Sequence, residues 1–502
     1  MTRFDAIVIG GGINGLAAAT TLARKGKSVC LVEARNTLGG MATYAIGNGP
    51  PLANLLHNLS PAVLASMGVD PSAIKTRRLR TAVLGDAPVI VDGAAARMAD
   101  GTPHPDSERF AGLVDRLTSY GALLRQLAEA PAPVGAPDTM ARLRQLWRLG
   151  RFGMSVKRLG KVEMRRFLQL LLSNAYDAVL DELPDGPLTG MLAADAVRGA
   201  ATGPRSPGTV FNLIYRMGHG GNPELPEGSM TQVFNVLADA AKNAGVTIST
   251  GVRVKQITLE DGYVTGVETD DGPLKAPLVL STQSLPATVR SLGAAHLDIE
   301  ATRRARHLRA RGTVAKVNLQ LNGLPELVHL PDPADQYRLL IAPSADYVET
   351  AFNPAKYGGM SDTPVIEAVI VQGATGPWLS ANVQFAPSNL TGGWTDAAKD
   401  TLLKTTLAAF APYVPGLEPR IESTQVITPS DIETATGTPG GHWHQAEMAL
   451  DQLLTLRPVP GFERGRVGPA GLYLCGASAH PGGDVMGLAG RNAAFAVLED
   501  LA

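Results

Sequence analysis

Apolar runs of strand length alternate with alanine-rich amphipathic stretches at three separate places in the chain. At the start, residues 4–9 form an apolar run and residues 10–15 a glycine cluster. Residues 16–25 have the composition of a packed helix, and residues 28–32 form a second apolar run ending in Glu33. That alternation predicts a parallel sheet with helices on its faces. It returns after Gly228. Ser229 and Gln232 have capping-box spacing before a helix at 233–244. A strand is expected at 246–250, a hairpin of 252–259 and 263–269 around Glu260-Asp261-Gly262, and another strand at 278–281. Residues 471–502 read strand, glycine-rich turn, helix.

The intervening segments differ. Residues 79–91 look like strands and 107–130 like a helix, followed by a proline-rich breaker at 131–138. Residues 139–177 are helical with an interruption near 150–153, and 204–226 is loop-rich. Residues 300–440 mix strands (314–321, 365–371) with a helix (396–410). No internal repeat is present. The simplest arrangement is one discontinuous α/β nucleotide-binding domain (1–75, 226–295, 460–502). A second α+β domain is inserted as 76–225 and 296–459, with a helical subregion at 105–200.

Composition narrows the class. The 502 residues carry 45 Lys+Arg and 46 Asp+Glu, which argues against a generally basic nucleic-acid binder. Two cysteines, Cys30 and Cys475, exclude a disulfide scaffold and supply no C-x-x-C redox pair. No apolar run reaches the ~18 residues of a membrane span. Asp5 and the early glycines make the N-terminus a folded strand and turn rather than a signal peptide. A cytoplasmic globular protein is expected. One local asymmetry stands out: nine basic residues between Arg142 and Arg166 against the single acid Glu163. They read either as a solvated helical face or as a contact for a membrane surface, with apolar residues continuing to 172.

The glycine cluster carries the chemistry. Gly10-x-Gly12-x-x-Gly15 lies between strand and helix, with Glu33 ending the next strand. Gly10 permits the tight turn, Gly12 lets the backbone approach a pyrophosphate, and Gly15 lets helix and strand pack closely. The helix N-terminus attracts phosphate, and Glu33 can accept from a ribose diol. NAD and FAD both use this fingerprint. The extension Glu33-Ala34-Arg35, then Gly39-Gly40-Met41-Ala42-Thr43, resembles that of the amine oxidase and phytoene desaturase flavoproteins. Asn14 fits there as a neutral residue at the helix start. The closing stretch is a second match, closest to the phytoene-dehydrogenase-like branch: Gly476, then His480-Pro481-Gly482-Gly483-Asp484-Val485-Met486-Gly487. Pro226-Glu227-Gly228 and Gly440-Gly441-His442-Trp443-His444 are further matches. The resemblance implies FAD as the cofactor. It implies contacts from the glycines and flanking residues just named, from Val254, and from Gly483 to Met486. It implies a Rossmann-type FAD-binding domain with an inserted substrate domain.

Four residues are candidates for catalysis. Asp484 stands where relatives carry a small residue, and reads as a helix N-cap or as a contact to substrate or flavin. Lys316 and Asn318 share one face of a strand; in amine oxidases a lysine on a similar strand holds a water at the flavin. His442 and His444 alternate in a segment expected to be extended, as structural or acid/base groups, and no third ligand completes a metal site. The resemblance implies removal of a hydride from a C–C or C–N bond of an organic, lipophilic substrate to flavin, with reoxidation by oxygen, a quinone or another acceptor. An amine or N-heterocycle oxidase is the enzymatic alternative, and a non-catalytic escort protein on the same fold the alternative of another class. Oligomeric state is not legible.

Overall fold

The computed structural model describes residues 3–136, 138–219, 221 and 223–502. Pro137, Gly220 and Asn222, which fall in the stretches read as breaker and loop, lie outside the described residues.

Five fully parallel strands form the first sheet, in the order Leu472–Leu474, Leu278–Ser281, Ala6–Ile9, Val29–Glu33, Thr247–Thr250. Its strands come from the beginning, middle and end of the chain, as the three α/β stretches predict. The inner strands are buried on both faces, which is why they read as continuous apolar runs rather than alternating ones. Helices Ile13–Ala23, Met230–Asn243 and Leu488–Asp500 pack together beside it. Two glycines make this approach possible. A Cβ on Gly15 would lie 1.9 Å from the Gly10 carbonyl oxygen, and one on Gly490 would lie 1.8 Å from the Asn14 oxygen.

The second sheet has eight strands and mixed direction. Its order is Ile421–Ile427, Val314–Leu321, Gly376–Gln384, Ile366–Gly373, Tyr337–Ile341, Arg80–Leu84, Val89–Asp92, Ala95–Met98. All neighbours are antiparallel except Tyr337–Ile341 against Arg80–Leu84. Side-chain alternation divides its faces. Ala315, Val317, Leu319, Leu379, Ala381 and Val383 turn into an apolar core capped by helix Asp396–Phe410. Between them, Lys316, Asn318, Ser380 and Asn382 turn to the opposite side.

The expected hairpin forms between Val254–Glu260 and Tyr263–Thr269. Asp261 and Gly262, at φ 51° and 80°, make the two-residue turn whose twist matches the strands. Ser229 caps Met230–Asn243 by accepting the Gln232 amide at 3.3 Å.

Two expectations fail for identifiable reasons. The helix after residue 139 runs unbroken as Thr139–Arg158 through Gly150 and Gly153, around which there is open space. The break falls instead at Gly160, where φ is +82°, before Gly160–Leu172. The stretch 204–226, read as loop, contains the buried helix Thr209–Gly218. Its flanking glycines and prolines masked a strongly amphipathic core segment. No helix among the described residues is long and apolar enough to cross a membrane.

Candidate active site

One cavity of about 680 Å³ begins at the glycine loop of the parallel sheet and ends against the polar face of the eight-stranded sheet. Its first half is built by two glycine turns. Gly39 donates its amide to the Gly11 oxygen at 2.9 Å, and Gly39 and Gly40 take φ of +116° and +55°. A Cβ on Gly40 would lie 3.3 Å from the Gly12 Cα, so a side chain there would fill the gap between the turns. Helix Ile13–Ala23 starts at Gly12 with no side-chain cap and no acid in its first turn. Its amides therefore remain for a phosphate. Glu33 accepts the Gly11 amide at 2.7 Å and the Arg35 amide at 2.9 Å. That fixes the loop while each carboxylate oxygen keeps a lone pair for a ribose hydroxyl. These features fit the adenosine and diphosphate portion of FAD.

The expected cofactor residues divide into wall and support. Gly10, Gly12, Asn14, Glu33, Ala34, Arg35, Gly39, Gly40, Met41, Ala42, Val254, Asp484 and Val485 line the cavity. Gly15, Gly476, Gly483 and Met486 do not. Gly15 lets the first helix pack, as above. A Cβ on Gly476 would meet the Thr282 oxygen at 2.2 Å, and one on Gly483 would meet His444 Nδ1 at 1.8 Å. Met486 is buried, with its sulfur accepting from Tyr215 at 3.3 Å. Asn14 has a double role, since its side-chain oxygen also accepts the Gly490 amide at 3.3 Å.

The far wall is a buried charge network that no sequence motif announces. Three adjacent strands place Lys316, Asn382 and Glu367 side by side in register. Lys316 Nζ donates to Asn382 at 3.2 Å, and Asn382 donates to Glu367 at 3.0 Å. Arg338 donates to Glu367 at 2.7 Å and also pairs with Asp195. Arg198, following helix Pro187–Val197, reaches Glu367 at 2.9 Å and lies over the Trp443 ring at 5.1 Å. Burial works against ionising Glu367, but Arg198 and Arg338 overcome it and hold its carboxyl well below the usual range. The sequence signal for Glu367 is an acid inside the apolar run 365–371. His57 and Arg198 carry none.

The four catalytic candidates separate. Asp484 is not a helix N-cap, because Gly487 occupies that position. Asp484 instead sits at φ +68°, accepts from Asn58 at 2.7 Å, and faces the cavity. Burial opposes its ionisation, and Arg216 and Arg198 among its neighbours keep it ionised. His442 and His444 lie in a turn rather than an extended segment. Their rings are 5.6 Å apart, and only His444 lines the cavity. His444 donates its amide to His442 Nδ1 at 3.1 Å, so His442 supports it from behind. Burial lowers His442 to about 4 and His444 well below its ordinary value. Lys316 does not line the cavity. It is 3% exposed and stands behind Asn382, and burial lowers its amine to about 7.

Comparison with known proteins agrees with this geometry. Residues 5–65 match the FAD dependent oxidoreductase family. The chain is 30% identical to the pyridine nucleotide-disulfide oxidoreductase domain-containing protein 2 of Mus musculus, over 99% of this chain and 94% of the mouse protein. It is 27% identical to the phytoene dehydrogenase of Streptomyces griseus over 57% of this chain and 55% of that one. The fold is that of the cyclohexylamine oxidase of Brevibacterium oxydans, with a TM-score of 0.57 at 13% identity and 100% of each chain covered. Despite the mouse protein's name, Cys30 and Cys475 form no disulfide here. Both are buried, and three inter-strand steps of ~4.8 Å separate the strand of one from the strand leading to the other. That is well beyond the ~7 Å Cα limit for a bridge.

Lys316 gives this wall a measurable signature. Above pH about 7 the folded chain holds a neutral amine, whereas the unfolded chain stays protonated up to about 10.5. Unfolding then takes up a proton, and stability rises with pH across that window. Lys316→Met is expected to keep its FAD and lose this rise. Denaturant unfolding of both proteins at pH 7 and pH 9.5 checks it, and parallel pH dependence would contradict the assignment.

Proposed function

We propose, from the premise that this chain is an FAD-dependent oxidoreductase of the family to which its mouse relative, matched along 99% of the chain, belongs, that it takes a hydride from a carbon of a C–C or C–N bond of an organic substrate bound in the cavity described above. The observation that carries this reading is the continuity of the cavity. A dinucleotide cradle opens directly onto a wall of buried, paired charges contributed by another sheet. In this reading residues 1–75, 226–295 and 460–502 hold the cofactor, and 76–225 and 296–459 shape the substrate space.

Bound FAD supplies the hydride acceptor. The chain's own residues would do the rest. Gly10, Gly12, Gly39 and Gly40 let backbone amides meet the diphosphate, and Glu33 receives the ribose. His444 and Asp484 face the substrate space and orient its polar groups. His442 and Lys316 act through His444 and Asn382 as positioning residues. One nucleotide fingerprint and no cysteine pair favour FAD without a resident pyridine nucleotide. The acceptor that reoxidises the enzyme would be oxygen, a quinone or another diffusing molecule. A C–N substrate is the second reading, favoured by the amine-oxidase fold.

A contact with a membrane surface belongs to the same proposal. Helix Thr139–Arg158 exposes Met140, Leu143, Leu146 and Trp147, the last at 66%, beside exposed Arg142, Arg144 and Arg151, and helix Gly160–Leu172 exposes Val162, Leu168 and Leu172. Apolar and basic groups on one exposed surface suit an anionic interface. Arg148 does not belong to this set, because it pairs with Glu499 at 3.0 Å.

The purified protein is expected to be yellow and to bleach anaerobically with one class among amines, carotenoids and acyl compounds, but not rapidly with NADH. A colourless protein that ignores added FAD would refute the reading. Co-sedimentation with phosphatidylserine-containing vesicles is expected at low salt, weakening as salt is raised. Replacing Arg142, Arg144 and Arg151 together by Gln should remove it, and absence of binding by the parent protein would leave these helices as a solvated face.

A further inference from the structure

Most polar atoms of the far wall are either bonded within the protein or closed off. Glu367 accepts from Arg338, Arg198 and Asn382 and uses both oxygens. His57 Nε2 and His444 Nε2 are unbonded but fully enclosed. Arg198 and Asp484 differ. Arg198 bonds Glu367 through Nε alone, so its Nη1 and Nη2 have no hydrogen-bond partner among the described residues. Asp484 accepts from Asn58 through Oδ2, and Oδ1 has no such partner either. None of these three atoms is among the enclosed ones. Both side chains line the cavity, and 14% of the Arg198 side chain and 6% of the Asp484 side chain remain accessible. Arg198 Nη1 and Asp484 Oδ1 lie 3.9 Å apart, too far for a hydrogen bond between them. The wall therefore presents an open donor beside an open acceptor.

We infer that Arg198 and Asp484 form a paired donor–acceptor subsite for an uncharged group carrying a carbonyl oxygen next to an N–H, so that the substrate is a cyclic amide. The inference rests on the oxidoreductase reading, because it names the substrate class of that same cavity.

Geometry selects the amide. The carbonyl oxygen accepts from Arg198, and the adjoining N–H donates to Asp484 Oδ1. An open-chain secondary amide is trans and turns its C=O and N–H to opposite sides. A lactam ring holds both on one edge, as two neighbouring protein atoms require. Charge selects a neutral group. At the wall the guanidinium groups of Arg198, Arg216 and Arg338 match the carboxylates of Asp195, Glu367 and Asp484 in number. A protonated amine or a carboxylate would leave one charge unmatched in a largely buried site. The amine also offers nothing to the guanidinium, and the carboxylate nothing to Asp484. A hydrocarbon would leave both open atoms without a partner. Val369 lies two residues along the strand from Glu367 and so on the same face, with Leu55 packed against it. Both line the cavity and supply apolar surface for the ring carbons.

The test titrates the full-length FAD-loaded protein at pH 8 with piperidin-2-one, N-methylpiperidin-2-one and piperidine. These six-membered rings carry in turn both groups, the carbonyl alone, and a charged amine. Binding is read from the absorption change of the bound flavin. Piperidin-2-one is expected to bind at least ~10-fold tighter than either of the others. Asp484→Asn, which keeps an oxygen for Asn58 and turns an NH2 group to the gap, should weaken piperidin-2-one about tenfold and leave the N-methyl ring within about twofold. Arg198→Lys, which keeps the charge and loses the fork, should weaken both lactams alike. The inference is overturned if the N-methyl ring or the amine binds as tightly as piperidin-2-one, which would mean that the pair holds water alone. It is overturned equally if Asp484→Asn lowers FAD affinity and leaves the lactam preference intact, because the pair then serves the cofactor. Should the variants fail to fold, the three ligands on the parent protein decide the question by themselves. Failure of the parent protein to bind FAD would instead refute the oxidoreductase reading, so the two failures are distinguishable.

Discussion

A carboxylate buried in the middle of a sheet has to be matched in place, and Glu367 imposes that requirement on everything around it. It is 7% exposed, in a strand whose neighbours are apolar. Leaving such a charge unpaired costs several kcal/mol. Arg338 on the adjacent strand, Arg198 after helix Pro187–Val197, and Asn382 on the other adjacent strand meet that cost together. Because the partners come from different elements, satisfying one charge aligns the helical region, the eight-stranded sheet and the cavity wall at once.

That alignment gives the cavity two ends of different character. The glycine-loop end offers backbone amides and a single carboxylate already fixed by two amides, an arrangement suited to a dinucleotide. The opposite end offers neutral imidazoles beside ionised carboxylates whose side chains are largely buried. Electrostatic interactions are stronger there than in water. In the proposed reading the wall orients a substrate with few contacts, while FAD carries the redox chemistry.

The cofactor half was legible in the sequence because it depends on local chemistry. Glycine at 10, 39 and 40 is required by left-handed turns and glycine at 15 by its contact with the Gly10 carbonyl, all within about thirty residues, and a resemblance to known flavoproteins attaches to those same positions and to Gly12. The substrate half was legible only in fragments. Strand alternation placed Lys316 and Asn318 on one face, but could not tell that Asn382 stands between Lys316 and the cavity. Asp484 looked like a helix cap from its position, whereas its left-handed backbone and its bond to Asn58, 426 residues earlier, are tertiary. His57 and Arg198 carry no local pattern, since their roles arise from partners on distant segments. The break predicted near Gly150 failed because glycine on an exposed helix face costs only ~1 kcal/mol, too little to end a helix.

The central claim is that the paired charge of Glu367 holds the cavity wall together, and a double-mutant cycle between Glu367→Gln and Arg198→Met tests it most directly. Unfolding free energies of the FAD-loaded protein, the two single variants and the double variant would be measured at pH 8. Each single change is expected to cost about 3 kcal/mol. The double change should cost less than the sum by about 1.5–3 kcal/mol, the range for directly coupled pairs. Additive costs, or single losses below about 0.5 kcal/mol, would contradict the account.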